Sequence, residues 1–149
     1  MQKTILDAAL AIGRPEKVHC VGYVSPEHRN KLYTAANVYV QPNIPIIGDM
    51  EGFGLVVLEA AAHGLPVVAS SLEGLQDALN NRSLGKLVAP LDPQGFVDQI
   101  TRLLNYPDEA VREGIKAKEY VEQNCSWQHI AQQYVVKLGA LAVSGKQAV

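Results

Sequence analysis

The chain has little cysteine. Cys20 and Cys125 are its only two thiols, and neither lies in a C-x-x-C pair. That excludes a disulfide framework and a thiolate zinc site, and it fits a reducing compartment. The four histidines are dispersed with no H-x-x-x-H pair, so no metal site is read from the sequence. No apolar run approaches the roughly 20 residues a membrane-spanning helix needs. Residues 5–12 have the length of a short signal core, but Asp7 interrupts them, and Ile5, Leu6, Ala9 and Leu10 form a helical stripe instead. Strong charge is lacking too. The net charge is −2, the basic residues are scattered, and no aromatic-basic stripe is present, so nucleic acid is not an expected partner.

What is present is a core. Of the 149 residues, 48% are apolar, enough for one globular domain. Helix and strand signals alternate along it. A surface helix ends at Gly13, with Pro15 beyond, and residues 18–22 read as a short buried strand. Ser25 caps a helix that has Pro26 at its first position and runs to about Ala36. A strand at 38–41 is stopped by Pro42, and a loop broken by Pro45 and Gly48 follows. A helix after Gly54 leads to a β-branched strand at 66–70, and a further strand is expected at 84–89. Asp92 and Pro93 open a helix with Phe96, Val97, Ile100, Leu103 and Leu104 on one face. Two more helices are expected over about 108–123 and 127–142, the second capped by Ser126, with an unstructured tail from Val143. The domain is therefore placed at 1–142. Such alternation predicts an α/β fold, a Rossmann-like parallel sheet with helices on both faces, and ligands beyond the carboxyl ends of the strands.

Residues 51–59 (EGFGLVVLE) carry the chemistry. Gly52 and Gly54 permit a tight turn and a close approach to a ligand. The run after them reads as a helix ending at Gly64, with Pro66 beyond. The first amides of such a helix lack internal partners and sit at its positive dipole end, which suits a phosphate. Leu55, Leu58, Glu59 and Ala62 fall at i, i+3, i+4 and i+7, so Glu59 lies on the apolar face. It is five residues past Gly54, about 7.5 Å along the axis, roughly the step from a bound phosphate to its ribose. Two readings fit Glu59: a carboxylate that accepts bonds from a ribose diol, or one that pairs with a neighbouring amide or base. Glu51 likewise is either a ligand contact or a first-turn acid that complements the dipole.

A dinucleotide-binding oxidoreductase is the rival enzyme class. Gly52 and Gly54 supply two glycines of G-x-G-x-x-G, and Glu73 lies about twenty residues on, where a ribose-binding acid belongs. The context opposes it. Such a motif follows a strand directly, whereas residues 44–51 contain Pro45 and Gly48, and Val57 replaces the third glycine.

Residues 51–59 resemble the E-x7-E motif of retaining nucleotide-sugar glycosyltransferases of the GT-B fold, the group that includes glycogen and sucrose synthases. The same family order appears at 21–24 (VGYV), 32–38 (LYTAANV), 41–43 (QPN), 59–69 (EAAAHGLPVVA) and 85–90 (GKLVAP). The resemblance covers about residues 18–125. It implies that Phe53, Gly54, Leu55 and Val56 present backbone amides to the donor's sugar and phosphates. It places Glu51, together with Gly52, at the transferred sugar as the catalytic carboxylate, Glu59 at the ribose, and Tyr23 and Val24 beside the base. No cofactor or metal is implied; the donor substrate would be a UDP-, GDP- or ADP-sugar.

The resemblance also implies absences. The family's first strand of this half, with a nearby arginine and lysine for the diphosphate, has no counterpart, since Arg14 and Lys17 lie on the wrong side of the next strand. The N-terminal acceptor domain is absent as well. The chain is thus expected to be a donor-binding fragment, inactive in transfer by itself, or a non-catalytic nucleotide-sugar-binding or assembly module. In the loop after the 66–70 strand, Glu73-Gly74 stands where the family usually has two glycines. His63 reads as structural, at the end of the motif helix. Trp127, Ile130, Ala131, Tyr134, Val135 and Leu138 form an apolar stripe that could drive self-association. A cytoplasmic location is expected, with peripheral attachment at the inner membrane face for a full-length enzyme.

Overall fold

The computed structural model describes residues 2–46, 48, 54–79 and 84–144. The helices are α1 (Gln2–Ala11), α2 (Pro26–Ala35), α3 (Leu55–Ala62), α4 (Glu73–Ala78), α5 (Pro93–Asn105), α6 (Pro107–Asn124) and α7 (Trp127–Ser144). The strands are β1 (Tyr39–Gln41), β2 (Val67–Ser70) and β3 (Lys86–Val88), and a 3-10 turn spans Pro15–Lys17. The chain divides into two compact units, Met1–Lys31 and Leu32–Val149.

In the first unit, α1 buries Ala9 and leaves Leu10 exposed, as is Ile12 just beyond its end. Gly13 takes a left-handed φ of 69°, and the amide of Arg14 returns to the Ala9 carbonyl at 3.0 Å, closing the helix end. Ser25 caps α2 as expected: the His28 amide donates to Ser25 Oγ at 3.3 Å. Residues 18–22, expected to be a strand, form none. Val18 is extended at φ −117°, ψ 116°, but a strand exists only where a neighbour supplies ladder hydrogen bonds, and none is present among the described residues. β-propensity sets the conformation; pairing makes the strand.

The second unit is built on a parallel sheet in the order β1-β2-β3. Its central strand β2 is buried at every position, as a parallel strand covered on both faces must be. Val67 and Ala69 join Val57, Leu58, Ala60 and Ala61 of α3, Leu75 of α4 and Ala117 of α6. Val68, on the other face, packs with Val88, Phe96, Leu103 and Ala110. Asp92 caps α5 by accepting from the Gly95 amide at 2.9 Å, and Ser126 caps α7 by accepting from the His129 amide at 3.2 Å. Arg102 and Glu109 pair across α5 and α6, and Lys86 of β3 pairs with Glu113 of α6 at 2.5 Å.

Helix α4 occupies a segment read as loop. Leu72, Leu75 and Leu79 carry a helical spacing, but six residues with a glycine inside are too short to announce a helix. Burial completes it, since Leu75 and Leu79 are fully enclosed. Helix α7 continues to Ser144, past the expected end at 142. Its stripe is uncovered: Trp127, Tyr134, Val135 and Leu138 are all exposed.

The closest packing is between α6 and the end of α3. Gly64 leaves α3 at φ +78°, and Gly114 of α6 sits so near that a Cβ there would lie 1.9 Å from the Gly64 carbonyl oxygen. Neither partner is a flexible side-chain end, so the backbone itself must yield. Gly114→Ala is expected to cost about 1–3 kcal/mol, the range for overpacked cores, read as a lower midpoint in urea. An unchanged midpoint would show that α6 does not dock there through its glycine.

Candidate functional site

The connection from α3 to β2 is short, and it sets the geometry. The Leu65 amide returns to the Ala60 carbonyl at 3.2 Å, and β2 begins at Val67. Helix α3 therefore runs back against the strands. Its last turn lies at their amino edge and its first turn at their carboxyl edge, the side where ligands bind in such sheets.

Gly54 stands before that first turn. Its backbone is left-handed, φ 69° and ψ 40°, and its carbonyl accepts from the Val57 amide at 3.0 Å. Two constraints select glycine here. A side chain would be strained at this φ, and a Cβ would meet Leu75 Cδ2 at 2.7 Å. No N-cap side chain serves α3; of its first-turn amides, that of Val57 donates to the Gly54 carbonyl. Leu55 and Val56 have side chains 65% and 43% exposed. The positive end of α3 thus lies at the carboxyl edge of the sheet, with the exposed Leu55 and Val56 on its first turn.

Glu59 is half-buried among Leu58, Ala60 and Ala61, and its Oε2 is shielded from solvent. The expected apolar face of Leu55, Leu58, Glu59 and Ala62 is not the one the helix buries: Val57, Leu58, Ala60 and Ala61 face the core, Leu55 is exposed, and Glu59 is only half-buried. His63 is the C-cap: its Nδ1 donates to the Glu59 carbonyl at 2.8 Å, which sets the tautomer. The His63 ring lies 5.2 Å from that of Tyr33, which meets Tyr39 edge-on at 5.8 Å. The Tyr39 hydroxyl in turn donates to Gln41 Oε1 at 3.1 Å. The expected structural role of His63 has this as its physical content.

Glu51, Gly52 and Phe53, named from the sequence, lie outside the described residues. Tyr23 and Val24 belong to the first unit, where Tyr23 is 94% exposed and Val24 half-buried. Arg14 and Lys17 belong to that unit as well. In the loop after β2 sequence reasoning singled out Glu73 and Gly74 but not Ser71 or Gln76. There the Ser71 amide donates to the Val88 carbonyl at 2.7 Å, and Gln76 Nε2 donates to both Ser71 O at 3.1 Å and Ser71 Oγ at 2.8 Å. The signal available was a serine five residues before a glutamine, which no short-range rule reads.

Cys125 is partly buried against the main core, and that burial pushes its thiol pKa above the usual value. Among the described residues, no group of three or more His, Cys, Asp or Glu side chains is placed to hold a metal ion. No described helix is long and apolar enough to cross a membrane. A cavity of about 190 Å³ lined by Asn37, Gly64, Pro66, Leu104 and Val111 lies at the amino edge, away from Gly54.

Comparison with known proteins places this arrangement. Residues 2–106 match the family described as Glycosyl transferases group 1. An uncharacterized glycosyltransferase of Methanocaldococcus jannaschii is 35% identical over 137 residues, covering 91% of this chain and 33% of its own. A D-inositol 3-phosphate glycosyltransferase of Corynebacterium urealyticum is 35% identical over 136 residues, covering 89% of this chain and 30% of its own. A glycogen synthase of Mycobacterium tuberculosis is 38% identical over 111 residues, 74% of this chain and 26% of its own. Among solved structures, sucrose-phosphate synthase from Thermosynechococcus elongatus superposes with a TM-score of 0.78 at 32% identity, over 95% of this chain and 34% of that one. The chain spans about a third of the length of the relatives it matches. Its three-stranded parallel sheet with flanking helices is the Rossmann-like α/β arrangement of that GT-B neighbour. By its sequence and its fold, the chain belongs to the group 1 glycosyltransferases.

Proposed function

We propose that this chain is the donor-binding part of a retaining glycosyltransferase, which holds a nucleoside diphosphate hexose while the sugar passes to an acceptor hydroxyl. The observation that carries the reading is the left-handed Gly54 turn, which opens the positive end of α3 at the carboxyl edge of the sheet. The diphosphate sits on the amides that follow Gly54, at Leu55 and Val56. Glu59, five residues and about 7.5 Å along the axis from Gly54, takes the ribose diol. By the family resemblance, Glu51, Gly52 and Phe53 complete the set toward the transferred sugar.

Retention requires the acceptor to attack the face from which the nucleotide leaves. The largest contribution of this part is then electrostatic, since amides aimed at the departing diphosphate stabilise its charge. No metal is called for in this scheme. The acceptor, and the site that holds it, belong to the whole enzyme, of whose relatives this chain matches about a third. The exposed stripe on α7 supports self-association. Leu138→Glu is expected to lower the sedimentation coefficient toward the monomer value; a wild type already monomeric at high concentration rejects that part.

Two measurements test the donor site. Gly54→Ala introduces a strained φ, at about 1–2 kcal/mol, and displaces Leu75. It is expected to abolish calorimetric binding of UDP, GDP and ADP and to lower the melting temperature. Full retention of binding would remove the α3 terminus as the anion site.

Glu59→Gln separates ligand from fold. It removes one charge-assisted bond, so a nucleoside diphosphate is expected to bind about tenfold more weakly, near 1–2 kcal/mol, with the melting temperature held. A deoxyribose nucleotide should lose about as much against wild type and hardly anything against Glu59→Gln, since both changes remove one contact. Equal losses in both proteins would mean that Glu59 does not touch the ribose.

A further inference from the structure

The short helix α4 does two things at once at the carboxyl edge. Its Leu75 closes on Gly54, as the 2.7 Å approach to a Cβ there shows. The next residue, Gln76, uses its side-chain Nε2 to hold both the carbonyl and the hydroxyl of Ser71, the first residue after β2. The glycine turn and the loop beyond β2 are thereby tied to one element.

The hydrogen bonds also set what Ser71 can offer. A hydroxyl has one proton to donate and two lone pairs to accept with. Gln76 Nε2, a donor, takes an accepting position at 2.8 Å. The Ser71 proton must therefore point away from Gln76, and among the described residues no acceptor takes it. The Ser71 amide is already committed to the Val88 carbonyl at 2.7 Å, so the backbone that carries the hydroxyl is held as well. Ser71 is only half-buried. The result is a hydroxyl whose oxygen is held by Gln76 and whose backbone is held by Val88, with its proton left to donate, on the segment that follows β2 at the carboxyl edge of the sheet.

We infer that Ser71 is a further ligand-binding residue, its hydroxyl donating to an acceptor oxygen of the ligand beyond the nucleoside, and that Gln76 is the positioning residue that aims it. The inference rests on the donor-site reading above. The acceptor oxygen belongs to the diphosphate or to the sugar, and the two sources separate experimentally.

The test is calorimetric titration of the full chain and its variants with UDP, GDP and ADP, and with UDP-glucose, GDP-mannose and ADP-glucose. Ser71→Ala and Gln76→Leu are each expected to weaken binding by about three- to tenfold, as loss of one hydrogen bond to a charged or polar oxygen does. The double variant should be no weaker than Ser71→Ala alone, and Ser71→Thr, which keeps the hydroxyl, should bind near wild type. Loss against the diphosphates and their sugars alike assigns the bond to the diphosphate; loss against the sugar nucleotides alone assigns it to the sugar. Unchanged binding by Ser71→Ala overturns the inference, and so does a Gln76→Leu loss that persists in the Ser71→Ala background. If wild type binds, Gly54→Ala does not, and Ser71→Ala matches wild type, only this inference falls. If wild type binds none of the six nucleotides, the donor-site reading falls with it.

Discussion

Burial of β2 on both faces is the constraint on which the second unit depends. Its four residues meet α3, α4 and α6 on one side and the Val68–Phe96 cluster on the other. A parallel strand so enclosed has no solvent to satisfy its backbone, so β1 and β3 must supply its ladder. The helices follow from the same demand, because each face of β2 needs a cover. Even the tight α3–α6 contact serves it. Gly114 lets α6 lie against the end of α3, which brings Ala117 into the core beneath the sheet.

The site inherits its position from that packing. Helix α3 can cover β2 only by running back along it, and that places its first turn at the carboxyl edge. Gly54 is then held between a backbone conformation that favours glycine and the Leu75 side chain. A glycine in a free loop would be mobile. Here it is clamped, so the helix amides that follow stay aimed without a capping side chain. Pre-organisation of this kind lets binding energy go to the ligand rather than to ordering the protein.

Much of this was legible before any coordinates. Ser25, Asp92 and Ser126 announced three helix starts, and each side chain accepts the amide expected of it. The β-branched run at 66–70 read as a strand, and β2 forms there. The spacing put Leu55, Leu58, Glu59 and Ala62 on the inner face of α3, whereas the helix buries Val57, Leu58, Ala60 and Ala61, because an almost wholly apolar helix carries no periodic signal to orient it. Residues 18–22 read as a strand on the same grounds and are not, because apolar content predicts extension but cannot provide a partner. Helix α4 was missed for the converse reason. Its six residues lack the length for a periodic signal, and enclosure of Leu75 and Leu79 stabilises it.

What the sequence by itself determined is whatever depends on neighbours along the chain: the caps, the turn glycines and the order of strand and helix that implies a parallel sheet. These are local interactions, set by spacings of two to four residues. Tertiary structure alone decided which extended segments became strands, that Leu75 closes on Gly54, and that Gln76 reaches back to orient Ser71. Each of these brings together groups through a shared core or a turn of unpredictable path, and no periodicity in the chain encodes such a meeting.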